Sequence, residues 1–245
     1  MTNFFHQSLF EQNRANQKMQ LFFALFFTIF TILALGLDSV FFAQNYFDAQ
    51  QITNFLALIY FLLLFVHSNS HLRKLMFVMV FLSYIGELIF CKLFGMYHYR
   101  TATIPLYVPL GHAIVYGSGF VFAQTSWALN NEKSLRKFFF IFFILLFLGV
   151  GIFLNDVFTL VFGGFFFLLL KRKKWQNLYY FIALCVIFIE LVGTFFQCWA
   201  WVPKTFGTIP AANPPMGAVF FYAGGDVLLA KIVAVWENQK LKTIS

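Results

Sequence analysis

Eight apolar runs dominate the chain, at roughly 21–43, 52–66, 75–92, 105–126, 138–154, 157–170, 178–200 and 216–236. About 20 apolar residues carry a helix across a bilayer's hydrocarbon. Backbone in lipid must satisfy its own hydrogen bonds, which a helix does internally. The pattern predicts an all-α, polytopic membrane helix bundle of about eight transmembrane helices. The runs at 52–66 and 157–170 are short for tilted spans, so their ends are the least defined. Composition agrees, with 61% hydrophobic and 11% charged residues in 245, where a soluble domain carries about a quarter charged. The spans use nearly the whole length and leave no stretch for a separate soluble domain.

The net charge of +8 could point to nucleic acid, but its distribution does not, and no nucleic-acid partner is expected. With the N-terminus inside, the inner segments hold Arg14, Lys18, Arg73, Lys74, Lys133, Arg136, Lys137, Lys171 to Lys174, Lys240 and Lys242. The outer segments hold Lys92, Arg100 and Lys204, and Lys231 lies within the last span. That asymmetry follows the positive-inside rule and sets both termini on the cytoplasmic side, in a bacterial-type inner membrane. The expected organisation is a polar segment at 1–20, a four-helix unit at 21–126, a linker at 127–137, a second unit at 138–236 and a tail at 237–245. No cleavable signal peptide is evident, because the first apolar run is too long for one. Phe22-Phe23, Phe26-Phe27, Phe138 to Phe140 and Phe165 to Phe167 read as lipid-facing filler.

An internal repeat supports the two units. Glu87-Leu88-Ile89, Tyr97-His98-Tyr99, Thr103-Ile104-Pro105, Pro109-Leu110-Gly111, Tyr116 and Gly119 come first. About a hundred residues on, in the same order, come Glu190-Leu191-Val192, Trp199-Ala200-Trp201, Thr208-Ile209-Pro210, Pro215-Met216-Gly217, Tyr222 and Gly225. Asp38 and Asp156, at outer helix ends, form a further pair. Four helices is an even number, so the repeats are parallel.

An ionisable group in hydrocarbon costs at least ~2.5–3.5 kcal/mol and marks a functional candidate. Glu87 and Glu190 each lie twelve residues beyond the inner start of their runs, about 18 Å up at 1.5 Å per residue. Asp226 lies near mid-depth. Ser83, Glu87 and Cys91 share a helix face, as do Glu190, Thr194 and Gln197 or Cys198. With His112 entering the fourth span and Tyr97, His98, Tyr99, Trp199 and Trp201 above, these groups converge on one chamber facing outward or into the outer leaflet. Plainer roles stay open. The glutamates could tie helices together, Asp226 could pair with His112, Asp38 and Asp156 could be helix-end residues, and the aromatics could form an interfacial belt.

Other chemistries have little support. Five scattered His cannot hold the two irons of a histidine-box oxygenase. His67 and His71 adjoin Arg73 and Lys74 on the inner side, and Gly163-Gly164 and Gly224-Gly225 lie inside apolar runs rather than in a nucleotide loop. Cys91, Cys185 and Cys198 lack metal-type spacing, although Cys91 and Cys198 could meet near the outer face. No metal or cofactor is expected.

The stretch from Glu87 through Phe94-Gly95-Met96-Tyr97-His98-Tyr99 to Pro105-Leu106-Tyr107-Val108-Pro109-Leu110 resembles the membrane carotenoid hydratases that act on bacterioruberin-type precursors. Trp199-Ala200-Trp201 and Ile209-Pro210-Ala211-Ala212-Asn213 are similar to that family's second-half motifs. Lycopene cyclases look like more distant relatives. The likeness covers about 60 residues and departs at Gly111-His112, where the family tends to carry Trp. It implies an enzyme that hydrates or cyclises an isoprenoid polyene by protonating a double bond. Such chemistry needs an acid, for which burial favours the protonated form, and aromatic faces that stabilise a carbocation. Glu87 or Glu190 would be the donor and Asp226 or Asp156 the base. Asp38, Tyr97, Tyr99, His112, Tyr116, Trp199, Trp201, Asn213 and Tyr222 would bind a lipophilic substrate among membrane lipids. Two rival readings stay open: a proton-coupled transporter of a small molecule or lipid using Glu87 and Glu190, and a non-catalytic lipid-binding subunit. Oligomeric state is not readable.

Overall fold

A computed structural model describes residues 14–244, with side chains over 17–238. Residues 1–13 and 245 lie outside that description, as do the side chains of Arg14, Lys240 and Lys242. The described chain is helical: α1 (Arg14–Leu37), α2 (Val40–Asn45), α3 (Gln50–His67), α4 (Ser70–Glu87), α5 (Tyr107–Ala123), α6 (Ser126–Asn130), α7 (Glu132–Phe153), α8 (Val157–Lys171), α9 (Gln176–Phe195) and α10 (Val219–Ile244). Six segments are long and apolar enough to cross a membrane. Tyr107–Ala123 and Val157–Lys171 are shorter apolar helices, about 26 and 23 Å long at 1.5 Å per residue.

Polar side chains start several of these helices. Asn69 accepts a hydrogen bond from the Leu72 N–H at 2.8 Å, and Ser39 from the Phe42 N–H at 3.0 Å, each satisfying a donor that a helix start leaves free. The 127–137 stretch is mostly helical, belonging to α6 and to the first turns of α7. Hydropathy marks only the apolar part of a helix, whereas Glu132, Lys133, Arg136 and Lys137 are good helix formers that extend it into the polar zone.

Four short strands interrupt the helical pattern. β1 (Tyr97–Tyr99) pairs antiparallel with β2 (Trp199–Trp201), setting Tyr97 opposite Trp201 and Tyr99 opposite Trp199. β3 (Lys204–Thr205) pairs with β4 (Ile209–Pro210). A π-helical turn, Leu88–Leu93, continues α4 toward β1.

The hub is α5, which packs against α1, α3, α4 and α9 and is buried along most of its length. Small residues let it sit close. A Cβ on Gly119 would lie 2.7 to 2.9 Å from Ile182, backbone included, so only glycine permits that approach. The phenylalanine runs divide by face. Phe138, Phe140 and Phe165 are exposed, but Phe139, Phe143, Phe147 and Phe166 are buried around Tyr180. The filler reading therefore holds for the outward members alone, because a helix turns neighbouring residues to different sides.

Candidate functional site

Glu87 ends α4 and Glu190 lies on α9. They are 3% and 6% exposed, and each is wrapped in hydrogen-bond donors. Glu87 Oε2 accepts from the hydroxyls of Tyr97 at 2.9 Å and Tyr99 at 2.7 Å, while His112 Nε2 lies 3.2 Å from Oε1. Glu190 Oε2 accepts from the indole N–H groups of Trp199 at 2.9 Å and Trp201 at 3.0 Å, and Oε1 accepts from the Tyr222 hydroxyl at 2.9 Å.

The geometry follows from strand periodicity. Residues i and i+2 of a strand face the same way, so the Tyr-His-Tyr and Trp-Ala-Trp triplets each aim two rings at one carboxyl. Because β1 and β2 pair, the two sites share a wall. The Tyr97 and Trp201 ring centroids are 4.8 Å apart, and the His112 and Tyr222 rings stack at 5.0 Å with an interplanar angle of 11°. Asn213 Oδ1 braces the ribbon by accepting from the Trp201 backbone N–H at 3.0 Å. Burial beside Glu87 pushes the Tyr97 and Tyr99 phenols well up, so both stay as hydroxyls.

Both glutamates line two spaces that share several lining residues. The smaller, about 50 Å³, is bounded by both glutamates, the four triplet aromatics, Tyr107 and Tyr222. The larger, about 390 Å³, is a cleft between α4 and α10 that runs from both glutamates past Ser83, Tyr116 and Phe221 to Asp226. Asp226 is 4% exposed, and its Oδ2 has no hydrogen-bond partner. It does not pair with His112, whose ring faces Glu87 instead.

The remaining sequence candidates sit elsewhere. Asp156 caps α8, accepting from the Thr159 N–H at 2.8 Å and its hydroxyl at 2.6 Å. Thr159 Oγ1 in turn accepts from the Gly217 N–H. Asp156 is therefore a helix-end residue and lines neither space. Asp38 is fully buried behind the chamber, accepting from Arg100 Nη2 and the Tyr107 hydroxyl, both at 2.7 Å. Thr194 bonds back to the Glu190 carbonyl. Cys91 and Cys198 are free buried thiols rather than a disulfide. Among the described residues, no group of three or more His, Cys, Asp or Glu side chains is placed to hold a metal ion.

Sequence reasoning missed two participants. Tyr107 lines the smaller chamber and anchors Asp38. Arg100 bridges Asp38 and Asp48, at 2.7 Å each, where the sequence offered only an outer-side positive charge. The spacing of Asp48 and Arg100 gives no signal, since two loops bring them together. Comparisons with protein-family models, curated proteins and solved structures find no match to this chain.

Proposed function

We propose that this chain is an eight-span membrane enzyme of two parallel four-helix units, with both termini cytoplasmic, that protonates a double bond of an isoprenoid-type polyene. The observation that carries the reading is the convergence of Glu87, Glu190 and Asp226 on one largely apolar cleft. The two aromatic triplets, each following an intramembrane glutamate, support the repeat. The short helices α5 and α8 supply the fourth span of the first unit and the second span of the other.

The hydrogen bonds favour a division of labour different from the sequence expectation. An indole N–H can only donate, so Trp199 and Trp201 hold Glu190 as an acceptor suited to stabilising positive charge. Asp226, with an oxygen free, is better placed to give up a proton. In this scheme the Asp226 carboxyl transfers its proton to one alkene carbon, and the π pair forms the new C–H bond. The cation left on the neighbouring carbon is held by the glutamates and the faces of Tyr97, Trp201 and Tyr222. Water then adds its oxygen lone pair to the cation and returns a proton to the Asp226 carboxylate, giving an alcohol. Cyclisation would instead use an internal double bond and lose a ring proton.

The test is to identify lipids that co-purify with the protein, then incubate it in nanodiscs with an acyclic isoprenoid polyene in deuterated water. The expected product carries carbon-bound deuterium, and Asp226→Asn lowers turnover about a hundredfold or more. Bulk phospholipid alone, with no deuterium incorporation, sinks the reading. Uptake driven by a pH gradient and abolished by Glu87→Gln and Glu190→Gln would move it to transport.

A further inference from the structure

The cleft's lining has an uneven charge inventory. It contains three carboxyl side chains but neither Lys nor Arg, and its one basic group, His112, faces Glu87. Glu87 and Glu190 have donors on both oxygens. Asp226 Oδ2 does not, although a buried carboxyl oxygen ordinarily finds a donor. Asp226 itself lines the cleft, so a ligand there meets an acid that no protein donor satisfies. Asp226 lies one helical turn beyond Tyr222 on the same face of α10. Gly224 and Gly225 also line the cleft, and a Cβ on either would meet nothing within 4 Å. On the rim, Ile85, Ile89 and Leu228 are apolar and exposed, an entrance suited to an alkyl chain arriving from lipid.

We infer that the cleft is a receptor for a lipophilic cation, taking an ammonium group on an apolar chain with its N–H directed at the Asp226 carboxyl. This deepens the proposed function and rests on its reading of the cleft as the ligand site, because a stable ammonium presents the charge that a carbocation would present there. The aromatic faces of Tyr97, Trp201, Phe221 and Tyr222 add favourable cation–π contact. A space of about 390 Å³ that opens past an apolar rim suits a single chain with a small head.

The probe is a dimethylalkylamine with a dodecyl chain, set against the hydrocarbon in which C–H replaces the nitrogen. Each is titrated into protein-loaded and empty phospholipid nanodiscs, and retained ligand is quantified by mass spectrometry. The amine is expected to bind at least about tenfold more tightly than the hydrocarbon. Asp226→Asn, nearly unchanged in volume, should erase that preference while leaving hydrocarbon binding intact. Gly225→Val should exclude both ligands, and it does so without displacing a neighbour. Equal binding of amine and hydrocarbon, or an undiminished preference in Asp226→Asn, overturns the inference. Polyene turnover without amine preference removes this inference alone. Amine preference without turnover removes the enzyme reading and leaves a lipophilic-cation receptor.

Discussion

Glu87 and Glu190 each precede an aromatic triplet that turns back to grip the carboxyl, yet the two grips differ in kind. Tyr97, Tyr99 and His112 around Glu87 carry groups that can donate or accept, whereas the indoles of Trp199 and Trp201 can only donate. The first site therefore holds three groups that can pass or reorient protons, and the second holds one, the Tyr222 hydroxyl. Space follows the same division. Three residues after Glu190 stands Gly193, where a Cβ would come within 2.0 Å of the Trp199 ring. Three residues after Glu87 stands Phe90, whose ring packs against Phe94 and Phe221. The contrast teaches that two similarly built carboxyl sites differ in how many of their partners can change role.

Removing each carboxyl is the strongest way to break the comparison. Glu190→Leu leaves two buried indole N–H groups and a phenol without an acceptor, each worth about 1–3 kcal/mol. The expected loss of stability is about 3–9 kcal/mol. Glu87→Leu should cost about 1–3 kcal/mol, since the hydroxyls and the imidazole can pair with one another. Unfolding in mixed detergent micelles measures both, and equal losses would show that the two sites are mechanically alike. Next in size is Gly193→Ala. The added methyl must displace Trp199, an overpacking of about 1–3 kcal/mol, and tryptophan emission should shift as the indole leaves Glu190. An unchanged spectrum would mean that the second site is not rigid.

Much of this site was legible in the sequence because charge inside an apolar run is rare. Glu87, Glu190 and Asp226 stood out for that reason, and the triplets stood out by their spacing from the glutamates. The topology of contact was not legible. Nothing in one sequence says that Tyr97-His98-Tyr99 pairs with Trp199-Ala200-Trp201 as strands, since three residues carry no periodicity. Nor does it say that His112 turns to Glu87 rather than Asp226. Asp156 looked like a catalyst because an N-cap and a buried acid use the same side chain. Only the Thr159 contacts distinguish them. Of the fold, the apolar helices were legible throughout. Their ends were not, because charged helix formers extend α7 beyond its hydropathy signal.

The smallest effect lies beyond the helix ends, where Arg100 pairs with Asp38 and Asp48. The hydrogen bond from Arg100 holds Asp48 below its ordinary value near 3.8, whereas burial pushes Asp38 up against the pull of Arg100 and Tyr107. The two shifts act in opposite directions. Asp48, depressed in the folded state, contributes stability that is present above pH 3.8 and lost as pH falls through its folded value. Asp38, raised in the folded state, contributes stability below that range that is lost as pH rises. The partial cancellation, and the exposure of Asp48, keep the net effect under about 1 kcal/mol. Hydrogen exchange at the Arg100 and Thr101 amides should quicken slightly below pH 3.8 in the wild type, after correction for intrinsic exchange. In Asp48→Asn, where only Asp38 titrates, protection there should hold or rise on acidification. The 204–210 stretch contains no carboxylate and should respond in neither protein. If its protection falls in step with that of Arg100, acid is loosening both stretches together and the ion pair does not set them apart.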